Sequence, residues 1–116
     1  MSVAGITYWN ERLERMARPA LERHQFDLLR EQLGYVRSRS PFYRRKLDAA
    51  GVVPQEIRTL EDLRRLPFTE KDELRESQER LPPWGDFACI APKDAVRVFQ
   101  TSGTTGRPRS EEHTSE

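Results

Sequence analysis

Cysteine is almost missing from this chain. Cys89 stands alone, which excludes an internal disulfide and any metal site built from several cysteines, and a single thiol suits a reducing cytoplasm. Long apolar runs are missing too. No stretch approaches the ~20 residues of a membrane-spanning helix, and Met1 to Gly5 lead into Asn10, Glu11 and Arg12 rather than into a signal-peptide core. The expected location is the cytoplasm. Charge of one sign is absent as well: 20 basic and 19 acidic residues leave a formal net charge of +1. No global field therefore exists to gather nucleic acid or an anionic membrane surface. Histidine is scarce. His24 lies among charged residues with no carboxylate and nucleophile beside it, so it reads as a surface residue, and neither a catalytic residue nor a metal site is expected. Internal repeats and a coiled-coil register are also lacking.

The composition sets 35% hydrophobic against 34% charged residues over 116 positions, enough chain for one small domain but a thin core. Leu21, Leu28, Leu29, Leu33 and Val36 recur on one side of a helix over residues 19–36. Ser40 and Pro41 open a second helix as N-cap and first-turn proline, and Gly51 stops it. On that helix Arg44, Arg45 and Lys46 read as a solvated basic face. Thr59 with Asp62, and Thr69 with Asp72, each resemble a capping box and predict two further short helices. Between them Leu66, Pro67 and Phe68 form a tight apolar connection. Pro82, Pro83 and Gly85 interrupt regular structure again, with Trp84 as a packing anchor. Residues 95–100 alternate Val96 and Val98 with Arg97 and Phe99, the pattern of a strand.

Immediately after that strand, residues 101–108 read TSGTTGRP. Gly103 and Gly106 remove side chains where backbone turns tightly and can aim N–H groups at phosphate oxygens. Thr101, Ser102, Thr104 and Thr105 add hydroxyls, and Arg107 adds a permanent positive charge. The spacing fits neither G-x-x-x-x-G-K-[ST] nor G-x-G-x-x-G. Composition alone would make this an ordinary Ser/Thr/Gly turn.

The octet resembles the phosphate-loop signature of the acyl-adenylating superfamily: a hydroxyl pair, Gly, Thr, Thr, Gly, any residue and Pro. Upstream, Tyr8-Trp9-Asn10, Ser40-Pro41-Phe42-Tyr43-Arg44-Arg45-Lys46-Leu47, Leu60-Glu61-Asp62-Leu63 and Leu66-Pro67-Phe68-Thr69-Glu70-Lys71 resemble the amino-terminal region of phenylacetate-CoA ligases. The resemblance implies an α/β fold of which this chain is a fragment. Residues 1–94 would be a helical amino-terminal segment, and 95–108 the first strand and phosphate loop of a truncated adenylation domain. It implies a parent that uses ATP, Mg2+ and CoA to convert a small aromatic or other carboxylic acid to an acyl adenylate and then a thioester. Thr101, Ser102, Gly103, Thr104, Thr105 and Gly106 would hold the β- and γ-phosphates, with Arg107 at the variable position and Pro108 stiffening the exit. The adenine, acid and CoA sites would lie beyond residue 108, which leaves the fragment inactive by itself. Two other functions fit the same residues: adenylyl transfer to a different acceptor, as in deazaflavin-cofactor synthetases resembling this branch, and a small helical interaction module ending in a polar tail.

Residues 109–116, RSEEHTSE, lack the apolar strand that should follow such a loop, and His113 alone among them makes no metal site. They match a translation of AGATCGGAAGAGCACACGTCTGAA, which resembles a widely used sequencing-library adapter, and are expected to be non-native. The strand before the loop is then expected to expose both edges, with partial disorder or aggregation as the consequence. Resequencing the source DNA past the codon for Pro108 is expected to return codons other than those for RSEEHTSE. Independent read coverage of the present codons would make the tail native.

Overall fold

Ser40 divides the longest helical stretch in two. The computed structural model describes residues 5–101 and the backbone of 111–113, and in it α1 spans Glu11–Glu14, α2 Arg18–Arg39 and α3 Pro41–Ala49. Pro41 keeps the residue before it out of helical geometry. Ser40 accordingly sits at φ −109° and ψ 109°, closing α2 through its N–H to the Val36 carbonyl (2.8 Å) and opening α3 by accepting from the Tyr43 N–H (3.2 Å). The far end of α3 is closed by Gly51 at φ +67°, a conformation that glycine adopts without strain. There the Gly51 N–H donates to the Asp48 carbonyl (3.0 Å) and the Val52 N–H to the Leu47 carbonyl (2.9 Å). Leu47 and Val52, the residues this motif brings together, are both buried.

Those two join Leu33 from α2 and Ile57 from the loop after the 3-10 turn Pro54–Glu56 in one small core, with Phe26, Leu29 and Leu66 packed against it. Each fully buried side chain of this size contributes ~1.5–3 kcal/mol. Thr59 leads into a six-residue 3-10 turn, Leu60–Arg65, where Asp62 accepts from the N–H groups of Thr59 (3.0 Å) and Arg58 (2.8 Å). Those two backbone hydrogen bonds hold the Asp62 carboxyl below its ordinary value. The second expected box, Thr69 with Asp72, is displaced by one residue. Helix α4, Lys71–Arg80, is capped by Glu70, whose N–H donates to Glu73 (2.7 Å). Glu73 is chosen over Asp72 because it also receives the Lys46 ammonium of α3 (2.6 Å). A glutamate reaching both groups ties the cap of α4 to the side of α3. The backbone bond to Glu70 and the bond from Lys46 lower the Glu73 carboxyl.

The basic triplet is largely solvated, as its composition suggested, with Arg44 and Arg45 exposed and Lys46 half-buried, but its charges are also engaged. Arg44 donates to the carbonyls of Arg37 (3.0 Å) and Ser38 (2.8 Å) at the α2 end, and Arg45 reaches the Asp86 carboxylate (2.7 Å). Asp86 follows Gly85, which is at φ +77° with its Cα against the Ser77 backbone of α4. The Asp86 side chain is 8% exposed, and takes bonds from the Ser77 hydroxyl (2.6 Å) and Arg80 (3.1 Å) as well as Arg45. Its N–H donates to Ser77 Oγ (2.8 Å), and its carbonyl accepts from Phe42 N–H (3.1 Å) and the Ser40 hydroxyl (3.3 Å). Every hydrogen-bonding group of this residue is engaged. From here a half-buried run, 87–90, leads through the 3-10 turn Pro92–Asp94 to strand β1, Arg97–Phe99.

The whole is drawn out, with extents of 54 × 34 × 27 Å and a radius of gyration of 17.8 Å. A compact domain of a hundred residues has a radius near ~13 Å.

Burial by itself would raise the Asp86 carboxyl, but bonds from Ser77 and Arg45 and the charges of Arg45 and Arg80 outweigh it and hold it below the ordinary aspartate value. A carboxylate lowered on folding stabilises the fold above its unfolded value and loses that contribution as pH falls through the folded one. Stability is thus expected to fall on acidification below pH ~4, with a shallower slope in Asp86→Asn. Asp86→Ala is expected to cost about 2–3 kcal/mol by denaturant titration. Gly85→Ala would place Cβ 2.9 Å from the Ser77 carbonyl carbon and 3.0 Å from the Gln78 nitrogen at a strained φ, and is expected to cost at least as much.

Candidate functional site

β1 delivers the chain to Thr101, which is exposed and outside regular structure. The strand falls within the expected 95–100 and stops just before the expected phosphate loop. Ser102, Gly103, Thr104, Thr105 and Gly106, with Arg107 and Pro108, lie outside the described residues. The chain returns as β2, Glu111–His113, antiparallel to β1 in the register Arg97 to His113, Val98 to Glu112 and Phe99 to Glu111. The candidate loop thus occupies the connection between two paired strands. This corrects the expectation of a strand unpaired on both edges. An antiparallel ladder is made by backbone groups, so a polar segment without proline can close one edge whatever its origin. The sheet has two strands, and the second edge of β1 has no strand neighbour among the described residues.

A second candidate is the open cleft of about 230 Å3 between α3 and α4, lined by Phe42, Arg45, Lys46, Glu73, Glu76, Ser77 and Arg80. Three cations around a cleft suggest an anion receptor. Here Arg45 and Arg80 are committed to Asp86 and Lys46 to Glu73, so the cleft is the wall of the α3–α4 clamp. Of its residues only Arg45 and Lys46 belong to the basic face that the sequence marked, and no spacing rule pointed to Asp86. Among the described residues, no group of three His, Cys, Asp or Glu side chains is placed to hold a metal ion. Among the same residues no helix is long and apolar enough to cross a membrane. His24 is half-buried on α2.

No protein-family model matches the chain. The phenylacetate-coenzyme A ligase of Thermus thermophilus is 46% identical over 96 residues, 83% of this chain and 20% of the relative. The chain belongs to the phenylacetate-CoA ligase family. The Escherichia coli (strain K12) enzyme of the same name is 41% identical over 88 residues, 76% of this chain and 19% of its own length. The chain therefore spans about a fifth of the curated relatives it matches. In three dimensions it superposes on 2-hydroxyisobutyryl-CoA ligase with a TM-score of 0.85 and 36% identity, over 98% of this chain and 24% of that one. That crystal structure holds 2-HIB-AMP and CoA in the thioesterification state. The fold is accordingly a segment of the adenylate-forming ligase fold, helical in its greater part with a short strand near its end.

Because β2 is the strand that closes β1, removing residues 109–116 from this phenylacetate-CoA ligase family member is expected to abolish amide-exchange protection at β1. Protection persisting in the shortened chain would reveal a different partner for the strand.

Proposed function

We propose that this chain is the amino-terminal segment of an AMP-forming acid-CoA ligase, and that its part in the reaction is to hold the polyphosphate of ATP. The observation that carries this is the placement of TSGTTGRP directly after β1 in a chain 46% identical to a phenylacetate-coenzyme A ligase. The complex of 2-hydroxyisobutyryl-CoA ligase with 2-HIB-AMP and CoA supports the same two-stage chemistry for the parent. A carboxylate oxygen attacks the α-phosphorus of ATP, pyrophosphate leaves and an acyl adenylate forms. The CoA thiolate then attacks the acyl carbon and AMP leaves.

In the first stage negative charge grows on the departing pyrophosphate. Thr101, Ser102, Gly103, Thr104, Thr105 and Gly106 offer hydroxyl and backbone N–H donors to its oxygens. Donors fixed before the reaction stabilise that growing charge more than they stabilise bound ATP, which is what accelerates the step. Their chemistry suits a magnesium-bound triphosphate, whose cation would neutralise further phosphate charge when present. Arg107 adds a permanent cation beside the loop. Residues 109–116 take no part, being a non-native tail, and the protein works in the cytoplasm. Residues beyond 108 supply the adenine, acid and CoA sites, so the 116-residue chain forms no thioester.

The test is ATP–pyrophosphate exchange by the full-length parent with a panel of aromatic and aliphatic acids, with CoA supplied or omitted. Gly103→Ala combined with Thr104→Ala is expected to lower exchange by ~100-fold or more, the scale of losing an oriented donor. Unchanged exchange in that variant would sink the phosphate-binding role. Adenylate formed without any CoA thioester would point to another acceptor.

A further inference from the structure

Phe68 is 90% exposed, yet the backbone on both sides of it is pinned. On one side Leu66 packs against the core and its N–H donates to the Leu63 carbonyl (3.0 Å). Pro67 then fixes its own φ. On the other side Thr69 is half-buried, and the Glu70 N–H is held by Glu73, which Lys46 of α3 holds in turn. The backbone that carries the ring is therefore held from both sides, by Leu66 in the core and by the α4 cap. A solvated phenylalanine on a loose loop would be ordinary, but one carried on a held backbone loses less freedom when it is buried.

We infer that Phe68 is an intramolecular docking anchor, seated in an apolar recess of the parent ligase formed by residues beyond this chain. The inference rests on the acid-CoA ligase assignment above. Two observations favour that occupant over a second copy of the chain. The drawn-out shape, with a radius of gyration of 17.8 Å, is that of a layer laid over something larger, and relatives of the chain are about four times its length. The surroundings of Phe68 are also charged, with Arg64, Arg65, Glu70 and Lys71 all exposed. One aromatic ringed by charge is too little for a self-associating interface, which needs roughly 800 Å2 per partner. A segment already tethered to its partner loses no translational freedom on docking, so a single anchor suffices.

The experiment compares thermal midpoints of Phe68→Asp and Phe68→Leu in the full-length parent and in the 116-residue chain. In the parent the aspartate variant is expected to melt at least ~5 °C lower, and the leucine variant within ~2 °C of the unsubstituted protein. In the 116-residue chain neither substitution should move the midpoint. If the aspartate variant of the parent does not express, Phe68→Ser takes its place with the same expectation. Equal midpoints in the parent, or equal losses in parent and chain, overturn the inference. So does self-association of the 116-residue chain that Phe68→Asp removes, since the occupant would then be a second copy. None of these midpoints needs nucleotide, so this outcome and that of the exchange assay are read separately.

Discussion

One carboxylate holds the two halves of this segment together. Asp86 lies where the chain leaves α4 for β1, and nearly all of its side chain is withdrawn from water. A charge in that position must be matched or it destabilises the fold by several kcal/mol. It is matched from three directions: by Ser77 and Arg80 of α4, by Arg45 of α3, and through its backbone by Ser40 and Phe42 at the α2–α3 corner. The two arginines are each 57% exposed, so water screens much of their attraction. What they supply is direction. With Gly85 fitted against Ser77, the exit path from α4 has one geometry, and β1 with Thr101 is reached along it.

Much of the fold could be read from local chemistry. Ser40-Pro41 and Gly51 marked both ends of α3, because N-cap and C-terminal glycine signals act within a few residues of chain. The strand before TSGTTGRP was legible from alternation alone. What was not legible lies in partners distant in sequence. The cap of α4 moved from Thr69 to Glu70 because Lys46, 27 positions away, holds Glu73. Arg44 and Arg45 are solvent-facing, but their acceptors were hidden for the same reason: they are carbonyls at the end of α2 and a carboxylate after α4. Helix α1 was missed because its signal, Asn10 capping a four-residue turn, is shorter than any periodicity. At the candidate site the resemblance of the octet to the acyl-adenylating signature carried the reading, and Thr101 alone of those six residues is described.

The pairing of β1 separates two levels of specificity. Backbone groups determine that a strand can be joined, and side chains determine which strand should join it. RSEEHTSE has no alternation of apolar residues to choose a face, yet three of its residues complete a ladder. Val98 and Phe99 point to opposite faces of β1 and are exposed at 55% and 43%, so the polar partner leaves apolar surface on both faces. A strand apolar on both faces belongs to the interior of a sheet covered from either side. Pairing with the tail thus satisfies hydrogen bonds without satisfying burial.

The same imbalance runs through the segment. Among the described residues the buried apolar side chains are few, Leu33, Phe42, Leu47, Val52, Pro54 and Ile57, whereas Trp9 and Phe68 stand almost wholly in water. Caps and ion pairs act over one or two turns and fix local shape with little apolar burial, so such a segment can hold its form while its large side chains stay outside. That division suits a segment of a larger fold, which can offer those side chains as an apolar surface. Phe68 stays outside that core, just before the stretch where Glu70, Glu73 and Lys46 tie the start of α4 to α3. Local order and an outward-facing aromatic ring thus lie side by side along the chain.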